Sequence, residues 1–144
     1  VSETNVAKFT LDGKTYVIKI DFKTAYVLTE KFDFPILKLF IDEQLTQQMM
    51  MKLLLDTQYT IDLCWYFLEN KVTFGKQALF EYITDAASLE PFREAMWAAV
   101  VNFSSPLIRG MLMDMWTTSK KELKRLKVDS EILTQSSSES NPEE

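Results

Sequence analysis

Apolar and polar residues along this chain follow two different periods, and the change between them falls near residue 21. Before it, Phe9 and Leu11, then Tyr16, Ile18 and Ile20, alternate with polar neighbours around Asp12–Gly13. Alternation at period two is the mark of a strand with one buried face, and an Asp-Gly pair between two such runs is a hairpin turn. Strands are expected over 7–11 and 15–20, and a lone two-stranded ribbon needs something to lie on. After Asp21 the apolar positions recur at helical spacing. Asp21 is a candidate N-cap, with Phe22, Ala25, Tyr26 and Thr29 on one stripe. Pro35, Pro91 and Pro106 each open a long periodic stretch, where a missing N–H costs nothing. Ser88 and Ser105 are candidate caps for the last two of these. The expected helices are 22–33, 36–55, 58–70, 76–84, 89–103 and 106–127. The clearest stripe is that of the last: Leu107, Ile108, Met111, Leu112, Met115, Trp116, Leu123 and Leu126. The fold class is therefore mostly α, a helical bundle with a small N-terminal β-hairpin.

Three segments carry more apolar residues than one helix face holds. They are Leu45–Leu55, with Met49–Met50–Met51 and Leu53–Leu54–Leu55, then Cys64–Leu68, and then Ala95–Val101. Successive residues turn by about 100°, so such runs face two surfaces. One of them fits as a helix buried on every side; a domain of this size has little room for three. At least one of the others is expected to face a partner or a sister subunit. Methionine, flexible and polarizable, suits surfaces that adapt to varied apolar partners. On these grounds the candidate partner-binding residues are Met49, Met50, Leu53, Leu54, Met111, Met113, Met115 and Trp116.

Composition narrows the chemistry. The 144 residues include no His, one Cys and three Gly, with 47% apolar or aromatic. That excludes His-dependent nucleophile dyads, internal disulfides, multi-thiolate zinc sites and a glycine-rich phosphate cradle. Carboxylates at helical spacing remain, Glu81 with Asp85 and Glu90 with Glu94. They read as solvated faces or acids favoured at helix N-termini rather than as Mg²⁺ ligands. Cys64, with no cation near it in sequence, reads as a buried inert thiol. We expect no enzyme activity, no cofactor and no metal.

Charge is segregated. Formal net charge is −5, from 16 Lys and Arg against 21 Asp and Glu. Residues 1–34 are neutral and 35–116 carry −4. Residues 117–127 carry +4, with Lys120, Lys121, Lys124, Arg125 and Lys127, and residues 128–144 carry −5. No aromatic side chains interleave with the lysines, so nucleic acid is not the expected partner. The basic block reads as a solvated helix end, with the acidic tail as its intramolecular partner. Residues 1–127 are expected to form a single domain, and the polar 128–144 a disordered acidic tail. The longest apolar run is the seven residues Ala95–Val101, against the roughly 20 needed to span a bilayer. No secretory signal pattern opens the sequence, and the expected location is cytosolic.

The stretch from Phe9 to Phe22, with Asp12, Gly13, Lys14 and Tyr16 at its turn, followed by a helix with Tyr26 and Lys31–Phe32, resembles a known family. It is similar to the start of tail-assembly chaperones of long-tailed phages of Gram-positive hosts. The resemblance is specific over about 25 residues and architectural beyond them, and the Met-rich helix matches no motif of the family. It implies a hairpin followed by a helical body, and a protein acting in the host cytoplasm. Such chaperones bind the apolar, helix-rich tape measure protein and keep it soluble. They coat it as multiple copies and leave as the tail tube assembles. In several systems a longer form is made by frameshifting. The family has no catalytic motif, so no site residues carry over. The alternative is a structural subunit of an oligomeric virion assembly, using the same apolar surfaces for self-association.

Overall fold

The computed structural model describes the backbone of residues 6–38 and 42–140, and among these the side chains of all but residues 6, 86 and 127–140. Strands β1 (Val6–Leu11) and β2 (Lys14–Lys19) pair antiparallel, from Val6 opposite Lys19 to Leu11 opposite Lys14. Asp12 and Gly13 both have positive φ, 51° and 76°. That is the backbone of a type I′ turn, which matches the right-handed twist of the flanking strands. Ala7, Phe9, Leu11 and Ile18 face inward, with Ile20 just beyond the ribbon. The surface they lie on is α5 (Glu90–Phe103), where Phe9 meets Phe92 edge-on at 5.3 Å between ring centroids.

Helix α1 (Phe22–Lys31) begins at Asp21, whose carboxylate accepts the Thr24 N–H at 2.8 Å, as the sequence suggests. It ends two residues earlier than expected. Asp33 takes positive φ, and the Phe34 N–H returns to the Leu28 carbonyl at 3.0 Å. Its buried face is Ala25 and Leu28, so the expected stripe of Phe22 and Tyr26 is turned outward.

The single helix expected over 36–55 is divided. A 3-10 turn spans Ile36–Lys38, residues 39–41 lie outside the described residues, and α2 is Glu43–Leu55. Asp42 starts α2 by accepting the Gln44 and Leu45 N–H groups at 3.0 and 3.2 Å. An Asp side chain competing for backbone donors begins a helix more readily than it continues one. Asp56 repeats the device, ending α2 and capping α3 (Thr57–Leu68) through the Tyr59 N–H at 3.0 Å. After α4 (Lys76–Tyr82) a 3-10 turn spans Ala86–Leu89. Ser88 is not the cap of α5: its N–H and hydroxyl both bond the Asp85 carboxylate, at 3.0 and 2.9 Å.

Helix α5 is the one buried nearly all round. Phe92, Arg93, Ala95, Met96, Trp97, Ala99, Val100 and Val101 are all covered. Helix α6 (Pro106–Ser140) packs beside it and is longer than the expected 106–127. Neither Gly nor Pro occurs from 128 to 140, and extending a formed helix costs far less than starting one. The segment read as a disordered tail is therefore helical backbone through Ser140, while 141–144 lie outside the described residues. No helix among the described residues is long and apolar enough to cross a membrane.

Candidate apolar binding surface and its charged rim

The eight residues singled out in the sequence part into two sets. Met49, Met50, Leu53 and Trp116 lie in the core, with Leu54 and Met115 half-buried against it. The buried four are closed to a partner, and their apolar character is explained by the domain itself. Met111 and Met113 are 54% and 44% exposed. The apolar positions of α2 left outside the core are Leu45, Met51 and Leu54, each half-buried, and the exposed Leu55. Cys64–Leu68 likewise buries Cys64, Phe67 and Leu68, with Trp65 and Tyr66 half-covered.

The regular stripe of α6 divides in the opposite sense. Only Leu112 and Trp116 of that stripe are buried, while Leu107 is 90% exposed. At 3.6 residues per turn, Leu107 and Met111 sit about 140° and 100° around the helix from Leu112. They form a second apolar flank one turn long, away from α5. Phe22 stands at the same end of the molecule, 77% exposed and edge-on to Phe103 at 5.2 Å. Tyr26, one turn along α1, is also exposed. The sequence placed Phe22 and Tyr26 on a core stripe; α1 instead buries Ala25 and Leu28 and leaves both rings outside the core.

Two arginines that the sequence gave no reason to single out fix the frame of this surface. Arg93 is buried, its Nε donating to the Leu53 carbonyl at 3.1 Å and one terminal nitrogen reaching Glu90 at 3.4 Å. Arg109 donates from Nε to the Ser104 and Val101 carbonyls at 3.1 and 3.2 Å, and from a terminal nitrogen to the Asn102 carbonyl at 3.0 Å. Each guanidinium satisfies carbonyls left open at a helix C-terminus, where positive charge is favoured. The α5–α6 turn, and with it Leu107, is thereby held in place.

A cleft of about 560 Å³ opens where the end of α2 meets α5 and α6, lined by Leu54, Leu55, Leu123, Lys120 and Lys124 among others. Glu90 and Glu94, considered above as a cation pair, both engage Lys120, Glu90 at 3.5 Å. Burial lowers the Lys120 pKa, but hydrogen bonds and charge from Glu94 and then Glu90 outweigh it and leave it raised. Glu94 also accepts the Trp116 indole N–H at 3.1 Å. Among the described residues no group of three or more His, Cys, Asp or Glu side chains is placed to hold a metal ion. None of their buried side-chain nitrogens or oxygens lacks a hydrogen-bond partner. Cys64 is buried, which pushes its thiol up to about 12 and keeps it protonated at neutral pH.

No protein-family model, curated protein or solved structure matches this chain.

Proposed function

We propose that this protein is an assembly chaperone of the phage-tail type, which holds apolar helical segments of a tape measure protein and keeps them in solution. The observation that carries it is the outward apolar flank of Leu107 and Met111 on α6, with the exposed Phe22 against Phe103 at the end of α5 that leads into it. Exposed apolar side chains on a folded domain are the ordinary means of taking up an amphipathic or apolar helix. The Asp12–Gly13–Lys14–Thr15–Tyr16 hairpin supports the same family, and the acidic charge of the chain favours solubility of a loaded complex. In that role the protein works in the host cytoplasm and turns over no substrate.

Co-expression with the tape measure protein, followed by size-exclusion chromatography, tests this. A co-eluting complex and a larger soluble fraction of the client are expected. Absence of both, with each protein well expressed, overturns it. The second reading, a structural subunit, draws on the same exposed flank and on the length of α6. A closed oligomer that ignores the client, seen by light scattering, would favour it.

A further inference from the structure

The two edges of the β1–β2 ribbon differ in what covers them. A two-residue turn makes Leu11 and Lys14 a hydrogen-bonded pair, and such pairs then alternate along the ribbon, Phe9 with Tyr16 and Ala7 with Ile18. The N–H and C=O groups of Lys8 and Thr10 on β1, and of Thr15 and Val17 on β2, therefore point out of the ribbon. On the β2 side the fold supplies a cover, because the Lys71 ammonium donates to the Val17 carbonyl at 2.6 Å. On the β1 side, no hydrogen bond from another of the described residues reaches the outward backbone groups of Lys8 or Thr10. An open strand edge is a template for a further strand. Space for one lies beside it. A groove of about 700 Å³ follows β1 from Ala7 to Thr10, bordered on α5 by Pro91, Glu94, Ala95 and Ala98. Ala95 and Ala98 are too short to fill the space next to the strand.

We infer that β1 pairs with an extended segment of a partner chain in which apolar residues alternate with carboxylates. The backbone sets the conformation, since an extended chain offers N–H and C=O groups at the spacing of Lys8 and Thr10. The two faces of the added strand set its side chains. On the inner face they lie opposite Phe9 and over Ala95 and Ala98, an apolar floor that Glu94 closes to a second carboxylate. On the outer face they stand beside Lys8 and Thr10. That face carries the exposed Lys8 and Lys19, with the Lys71 ammonium at the far edge, and neither strand contains an acid. Carboxylates on alternate residues complement this charge. A second copy of β1 does not, because it brings another lysine and no acid. The groove is separate from the client-binding flank proposed above, since neither Leu107 nor Met111 lines it.

Fluorescence anisotropy on the full chain, with a labelled, end-blocked heptapeptide of alternating valine and glutamate, tests this. Saturable binding is expected, with a valine–lysine peptide about tenfold weaker or worse. The valine–glutamate peptide with all its backbone amides methylated should not bind, because it has no donors for the edge. Hydrogen exchange followed by NMR should show the Lys8 and Thr10 amides slowed most by the peptide, since those of Phe9 and Leu11 are already bonded to β2. Thr10→Pro removes one outward N–H at a position where an edge strand tolerates proline, and should weaken binding by about tenfold. Lys8→Glu should reverse the preference between the two peptides. Circular dichroism on both variants checks that the fold is kept. No saturable binding up to about 1 mM overturns the inference, as do equal binding of the methylated peptide or an unchanged preference in folded Lys8→Glu. Self-association of the free chain that Thr10→Pro abolishes would assign the edge to a second copy and overturn it too. Client capture is read separately on both variants, so this contact can fail while the client-binding role stands.

Discussion

Trp97 and Trp116 stack with their ring planes 8° apart and their centroids 5.2 Å apart, joining α5 to α6. Both indole N–H groups are used, that of Trp97 on the Leu112 carbonyl at 3.1 Å and that of Trp116 on the Glu94 carboxylate. The stack packs the helix that carries Leu107 and Met111 against α5. Trp116→Ala should lower unfolding free energy by about 3–5 kcal/mol, the usual cost of emptying a buried aromatic site. Trp116→Phe keeps an aromatic ring but not the Glu94 bond, and should cost clearly less than the alanine change. Urea unfolding followed by circular dichroism measures both, and equal losses for the two variants would contradict a role for ring packing.

Arg93 makes a contrasting case, because its buried charge is held by hydrogen bonds, among them those to the Leu53 carbonyl and the exposed Glu90 carboxylate. Truncation to Ala should cost about 2–4 kcal/mol, combining a lost charged hydrogen bond with a cavity between α2 and α5. Arg93→Met fills the space without the charge and should recover at least half of that loss, since the Thr60 hydroxyl remains 2.9 Å from the Leu53 carbonyl. Glu90→Gln should cost less than about 1 kcal/mol, as expected for a solvent-accessible pair. Denaturant midpoints for the three variants give the order directly.

Stability should decline on the alkaline side of neutrality. Burial holds the Cys64 thiol up at about 12, from an ordinary 9.0. Burial, then the charges of Asp33 and Asp56, raises the Tyr59 phenol, whose O–H donates to the Phe32 carbonyl at 2.7 Å. In both cases the unfolded chain releases its proton first. The stabilisation is therefore complete below the unfolded pKa and is lost as pH climbs toward the folded one. For Cys64 the window is about 9 to about 12, with a slope of about 1.4 kcal/mol per pH unit. Cys64→Ala should start from a lower stability at pH 7 and fall less steeply above pH 9. Urea unfolding at a series of pH values checks the slope, and a thiol reagent should react with native Cys64 only after unfolding.

The hairpin was legible because Asp12–Gly13 states its turn and Phe9 and Ile18 state its inward face, with no competing pattern nearby. The helices were legible as elements but not at every boundary. Leu39 and Phe40 continue an apolar periodicity up to Asp42, and only the capped N–H groups of Gln44 and Leu45 reveal that α2 starts there. The candidate surface was legible least. A periodic apolar stripe says that a helix has a face, not whether the protein covers it. Met50 and Met111 are alike in sequence terms, and tertiary packing alone separates them. Arg93 and Arg109 were overlooked for the converse reason. A charged side chain is assigned to solvent by default, and nothing local announces an open helix terminus that it will fill.

That separation of Met50 from Met111 can be measured. Met50 is fully buried between α2 and its neighbours, so Met50→Ala should cost about 2–5 kcal/mol with no specific effect on partner binding once the protein is folded. Met111 is more than half exposed on the outward flank of α6. Met111→Glu should change stability by no more than about 0.5 kcal/mol, the ordinary range for surface substitutions. It should nevertheless abolish co-elution with an apolar helical client, because a carboxylate placed in that contact would have to be desolvated without a partner. Leu107→Glu should behave in the same way. Denaturant unfolding and client pull-down on the three variants give two independent readouts. If Met111→Glu binds the client as well as the unaltered chain does, the α6 flank is not the binding surface; if it unfolds the protein, Met111 belongs to the core after all.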